Sequence, residues 1–247
     1  MLSEEERRDS VVVVSSDDEK ERGGELCLGY TTDLPLRVTS ARGGLAYNEA
    51  CRIDSKIKCR VMRCKSGRDT EFQVYMETTQ RHGVFHLGAR VRRGLFRKTE
   101  FIVSQERPSS VLFSSRACGR VSVDKKRKSF QISSDGVSVG AVEYASDEDP
   151  RDFRVVLPSP ISGRQVLLEN KKPQWSSEID SYVLNFGGRV SVSSVKNVQL
   201  VSRNDPANIV FQTGRRDADE FILDFKYPFS MVQAFGVMLC VFYNDIV

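Results

Sequence analysis

Apolar side chains recur at every second position through most of this chain. Phe72, Val74 and Met76 alternate with polar residues in EFQVYME, as do Phe130 and Ile132 in SFQIS. Val137, Val139 and Ala141 share the pattern in VSVGAVEY, and Phe221, Leu223 and Phe225 in EFILDFK. Successive side chains of a strand point to opposite faces, so a period of two predicts strands with one face against a core. VVL at Val155–Leu157 and NIVF at Asn208–Phe211 are continuous apolar strings and predict further strands. Turn signals separate them: Arg81-His82-Gly83, Ser134-Asp135-Gly136, Gly187-Gly188 and Asn204-Asp205-Pro206. Many short strands from about Glu25 onward, with almost no helical periodicity, argue for a barrel or a sandwich.

The end of the chain breaks the pattern. PFSMVQAFGVMLCVFY, from Pro228 to Tyr243, carries no charge, although 28% of all residues are charged. Pro228 fits the first turn of a helix, and apolar side chains then point in nearly every direction, the mark of a helix enclosed by protein or lipid. Met231 to Tyr243 gives about 20 Å of helix, against about 30 Å for a bilayer core. Gln233 interrupts the run, and no basic cluster follows it. These features predict a core helix rather than a tail anchor, and a helix about 10 Å across suits the bore of a barrel.

Charge divides the chain unevenly. Residues 1–24 predict a disordered arm, dominated by charged and small residues and closed by Gly23 and Gly24. Residues 1–22 carry eight acids and four bases, so an overall charge of +4 leaves a body of +8. A basic body points to a polyanionic partner: a phosphorylated lipid, a nucleic acid or an acidic protein. Within the arm, Val11 to Val14 directly precede Ser15, Ser16, Asp17, Asp18 and Glu19, which resembles a SUMO-interacting motif. Such a segment can add as a strand to a partner's sheet edge, or pair with the chain's own sheet.

Six scattered cysteines and no signal-like stretch at the start predict a reducing, intracellular setting. Cys59 and Cys64 have no second ligand pair nearby, and His82 and His86 are the two histidines, so no metal or other cofactor is expected. No nucleophile motif or phosphate loop is present, which argues against an enzyme.

The stretch from Gln174 to Leu239 resembles the C-terminal part of the tubby-like proteins, through SYVLNFGGRV followed by SVKN, NDP, IVFQTGR, and YP before QAF. Upstream, KCRVMRCKSG at Lys58–Gly67 and HLGARVRR at His86–Arg93 fall in the expected order. The resemblance implies a domain over residues 25–247, built as a closed twelve-stranded antiparallel barrel around a central apolar C-terminal α-helix.

It also implies a non-enzymatic adaptor that binds phosphatidylinositol 4,5-bisphosphate, or a related phosphoinositide, through a basic groove. The expected setting is cytoplasmic, peripheral at the inner face of the plasma membrane, with ciliary transport cargo as a further partner and the cilium, flagellum or nucleus as further sites. Between Thr78 and Thr99 no acid occurs, while Arg81, Arg90, Arg92, Arg93, Arg97 and Lys98 provide six cations. In a strand, Arg90 and Arg92 project to one face, and two guanidinium groups there can grip a phosphate. The family pattern carries the lipid-binding role to Arg90, Arg92 and Arg93. It also implicates Arg120, two residues before the position of a family arginine at Ser122, and DKKRKSF with Lys125, Lys126 and Lys128. Nucleic-acid binding would use the same charges, but no recognition helix or zinc finger is visible to read a groove.

Overall fold

The computed structural model describes residues 11–14, 46–66, 69–78, 83–93, 99–146, 152–162, 164–178 and 180–243. Twelve of its strands close into an antiparallel barrel. In chain order these are β2 (Lys56–Ser66), β3 (Asp69–Met76), β4 (Val84–Arg93), β5 (Thr99–Ser104), β6 (Ala117–Val123) and β7 (Ser129–Ser134), then β8 (Val137–Ser146), β9 (Asp152–Pro158) and β10 (Gln165–Asn170). β13 (Val198–Val201), β14 (Phe211–Arg215) and β15 (Glu220–Lys226) complete the circuit, β13 beside β10 and β15 beside β2. The inward face of each strand carries the apolar alternate positions: Phe72 and Val74, Phe101 and Val103, Phe130 and Ile132, Phe221 and Leu223 are all buried. Arg81, Arg97, Lys98, His82 and the remaining residues of the N-terminal arm lie outside the described residues.

The bore is filled by helix α1 (Met231–Phe242), and all twelve of its residues are buried. No helix among the described residues is long and apolar enough to cross a membrane. The helix starts at Met231, as its expected length assumed, but Pro228 lies before its first turn rather than in it. Ser230, two residues beyond Pro228, is its N-cap: the Ser230 hydroxyl accepts the Gln233 N–H at 3.3 Å, and the Gln233 side-chain oxygen accepts the Ser230 N–H at 2.7 Å. Gln233 also donates to the Val139 carbonyl at 2.8 Å, so the helix's amide side chain satisfies backbone groups at its own cap and on β8. Ser230→Ala is expected to lower stability by about 1 kcal/mol in urea unfolding. Further along, Gly236 lets the helix approach β7 closely, since a Cβ there would sit 2.7 Å from Ile132 Cγ2.

Two strands depart from the expected pattern. In β8 the core face is Gly140 and Val142, whereas Val137 is 65% exposed. The register shifts between Ile132 and Ser133, leaving Val139 as an extra residue, so Val137 and Ala141 do not share a core face with it. In NIVF, only Phe211 belongs to a strand; Asn208, Ile209 and Val210 lead into β14.

A smaller sheet has the order β1 (Val11–Val14), β12 (Ser181–Asn185), β11 (Gln174–Ser176). β1 runs parallel to β12, with Val11 opposite Tyr182 and Val14 opposite Asn185. The end of β12 and the segment after it lie on the outside of β15, where Leu184, Phe186 and Val190 cluster with Ile222. β15 is therefore buried on both faces. Arg189 locks this segment down. It donates to Asp224 at 2.7 and 3.0 Å and to Glu77 at 3.0 Å through each of two nitrogens, while Gln212 donates to the same Asp224 at 2.9 Å. Burial opposes the guanidinium charge, but the hydrogen bonds and attraction of Asp224 and Glu77 outweigh it and raise the Arg189 pKa.

Candidate functional site

The bore is filled by side chains, so the sequence-predicted cations are found on the outer wall, where β4, β5 and β6 bring several of them together. Strand alternation sends Leu87 and Ala89 inward and Arg90 and Arg92 outward. On β5, Phe101 and Val103 face inward, so Glu100 and Ile102 face outward. On β6, Val121 is inward and Arg120 outward. The register places Arg92 opposite Glu100, and Arg90 and Arg120 on either side of Ile102. Three of the sequence-predicted cations thus meet on one patch of wall.

Their electrostatics differ from the sequence expectation. The run from Thr78 to Thr99 holds no acid, but neighbouring strands bring two. Arg90 Nε donates to Glu71 Oε1 of β3 at 2.9 Å. Arg92 Nε donates to Glu100 Oε1 at 2.6 Å, and Arg120 Nη1 donates to Glu100 Oε2 at 3.2 Å. The Glu100 side chain is only 5% exposed, whereas those of Arg92 and Arg120 are 57% and 49% exposed. One buried carboxylate therefore holds two guanidinium groups side by side, each keeping donors toward solvent. Three arginines against two glutamates leave the patch net positive. The Arg90 guanidinium also lies over the Phe113 ring at 5.0 Å, which fixes its plane.

The other predicted residues lie apart. Arg93 ends β4 on the opposite alternation from Arg92, with Asp69 at 3.9 Å. Lys125, Lys126 and Lys128 are exposed on the turn between β6 and β7, at the rim of the barrel. Asp124 shapes that turn by accepting the N–H groups of Lys128 at 2.8 Å and Ser129 at 3.0 Å. Those backbone bonds, that from Ser129 foremost, hold its carboxyl below the usual carboxylate range. Arg120 to Asp124 is four residues of strand, about 13 Å. The lysines thus form a second basic surface rather than part of the arginine cluster.

Sequence reasoning missed Glu71, Glu100 and Phe113. Glu100 had a legible signal: Arg93 and Thr99 close the β4–β5 hairpin, and counting back one pair on each strand puts Arg92 opposite Glu100. Phe113 had none, because it reaches the wall from the long connection between β5 and β6.

The fold is a closed antiparallel barrel with an apolar helix as its core and a guanidinium cluster on its outer wall. The model of the Tub family matches residues 147–244. Tubby protein homolog 1 of Caenorhabditis elegans is 30% identical over 243 residues, covering 76% of this chain and 57% of that protein. Tubby-related protein 3 of Homo sapiens is 29% identical, covering 75% of this chain and 51% of that protein, and Protein king tubby of Drosophila sechellia is similar to the same extent. The chain belongs to the tubby-like family, and it spans about half the length of the curated relatives it matches.

Proposed function

We propose that this chain is a non-enzymatic adaptor that docks on the cytoplasmic leaflet by binding a phosphoinositide headgroup on the β4–β6 wall. The supporting observation is the shared carboxylate: Glu100 sets Arg92 and Arg120 beside each other with half of each side chain open to solvent. Two adjacent guanidinium groups match the charge and planar geometry of a phosphate, and their rigidity reduces the entropy lost on binding. Phosphatidylinositol 4,5-bisphosphate is the proposed ligand, with Arg90 beside the pair and the Lys125, Lys126 and Lys128 turn adding attraction to an anionic surface. The proposed site of action is the inner face of the plasma membrane, with the cilium or flagellum and the nucleus as further sites; ciliary transport cargo is proposed from family membership alone. A SUMO-like partner is proposed for the edge of Val11–Val14 that β12 does not take, β1 being the edge strand of its sheet.

The test is a liposome panel of single phosphoinositides at moderate salt, comparing the parent with Arg90→Ala/Arg92→Ala. Near an anionic leaflet each basic residue contributes about 1 kcal/mol, so removing two is expected to weaken binding about 30-fold. Equal retention of both proteins would remove the site. Tight retention on DNA without preference among equally charged lipids would favour nucleic-acid binding instead.

A further inference from the structure

The connection between β5 and β6, residues 105–116, packs against the outer wall at β4. Pro108 and the Glu106 carbonyl lie so close to Gly88 of β4 that a Cβ there would be 2.7 and 2.8 Å from them. The neck of the loop is closed by Ser104, whose hydroxyl donates to the Arg116 carbonyl at 2.9 Å and accepts the Glu106 N–H at 3.2 Å, and by the Arg116–Glu106 ion pair at 3.1 Å. Arg107 clamps a second point, stacking 4.7 Å over Phe85 and donating to the Tyr75 hydroxyl at 2.7 Å. Phe113 is buried beneath Arg90.

This well-anchored loop turns its next two apolar residues outward. Val111 is 98% exposed and Leu112 is 45% exposed. Backbone bonds from Ser110 to Arg107, Phe113 to Ser110 and Arg116 to Leu112 fix the turn that presents them. A single exposed aliphatic residue is ordinary. Here two are consecutive, held on a braced loop, and placed next to the phenylalanine on which Arg90 rests. Val111 is two residues from Phe113, within about 7 Å along the chain, so it stands on the same wall as the arginine cluster.

We infer that Val111 and Leu112 form an apolar wedge that enters the acyl boundary of an anionic leaflet while the adjacent arginines hold its phosphates. The inference rests on the phosphoinositide reading of the wall and adds a second, non-ionic mode of attachment. Charge complementarity selects the occupant: Arg107 and Arg116 flank the tip on its own loop with no acid between them, Glu106 being the loop's one acid and paired with Arg116, and the Arg90, Arg92 and Arg120 patch adjoins it. Cations around a small apolar tip suit a headgroup layer lying over hydrocarbon. Insertion would persist when salt screens the ionic contacts, because apolar transfer is not screened.

The experiment compares the parent, Val111→Ser/Leu112→Ser and Arg90→Ala/Arg92→Ala on phosphatidylcholine vesicles containing phosphatidylinositol 4,5-bisphosphate, and separately on the soluble inositol trisphosphate headgroup. Losing two aliphatic side chains from the interface is expected to weaken vesicle binding about ten- to a hundredfold with headgroup binding unchanged. The arginine variant is expected to be weakened on both. A Val111→Trp variant should show blue-shifted emission on vesicles and quenching by brominated lipids. Parent-like vesicle binding by the double serine variant, or a water-exposed tryptophan on bound protein, overturns the wedge while leaving the phosphoinositide reading intact. No dependence on phosphoinositide in the parent overturns both.

Discussion

A chain that stops at Tyr227 is expected to lose cooperative folding altogether. Helix α1 is the centre of the core, and its rings complete aromatic contacts made by several strands. Phe242 lies 5.9 Å from Phe72 and 4.6 Å from Phe221, and Tyr243 lies 6.2 Å from Phe101 and 5.2 Å from Phe130. Met231, Val232, Phe235, Val237, Met238, Leu239, Val241 and Phe242 are all buried. At about 1.5–3 kcal/mol for each such side chain, the helix contributes on the order of 12–24 kcal/mol of apolar burial. That matches or exceeds the roughly 5–15 kcal/mol net stability of an ordinary domain. Its loss also exposes the inward faces of the strands, which have no other partner across the bore. Circular dichroism and urea unfolding check the outcome; a soluble truncated protein with one sharp unfolding transition would show that the strands hold together without their core.

How far the sequence revealed this architecture depends on the range of the interactions involved. The core helix was legible because length and lack of charge are local properties, and the pairing of Arg90 and Arg92 on one face follows from strand geometry alone. The span from Met231 was right, but Pro228 was placed in the first turn because proline position is a weaker signal than a side-chain cap, and the Ser230–Gln233 pair was the stronger one. The face of β8 was misread because apolar residues occur on both alternations there and one inserted residue at Val139 exchanges them. Glu71, which neutralises Arg90, stands nineteen residues away and becomes its neighbour only through the β3–β4 register. Acids brought across a sheet are invisible to a local charge count, so the basic stretch read as more positive than the folded wall is.

Arg189→Ala is expected to lower stability by about 3–5 kcal/mol, the usual consequence of breaking a buried ion pair from one side. The side chain of Asp224 is fully buried, and removal of Arg189 leaves its carboxylate with Gln212 as its remaining side-chain hydrogen-bond partner among the described residues. Glu77 is one-third exposed and is rehydrated more easily, so the effect arises mainly at Asp224. Arg189→Lys should recover little, because one ammonium cannot make two forked contacts in different directions. Packing loss and charge imbalance are separable: Arg189→Met/Asp224→Leu removes both charges, and is expected to be markedly more stable than Arg189→Ala alone. The destabilisation should appear first where the segment from β12 to Val190 rests on Ile222, as faster amide exchange at Leu184 and Phe186. Global unfolding of Arg189→Ala within about 1 kcal/mol of the parent would mean that water reaches Asp224 and solvates it, and that the docked segment is held by its apolar contacts instead.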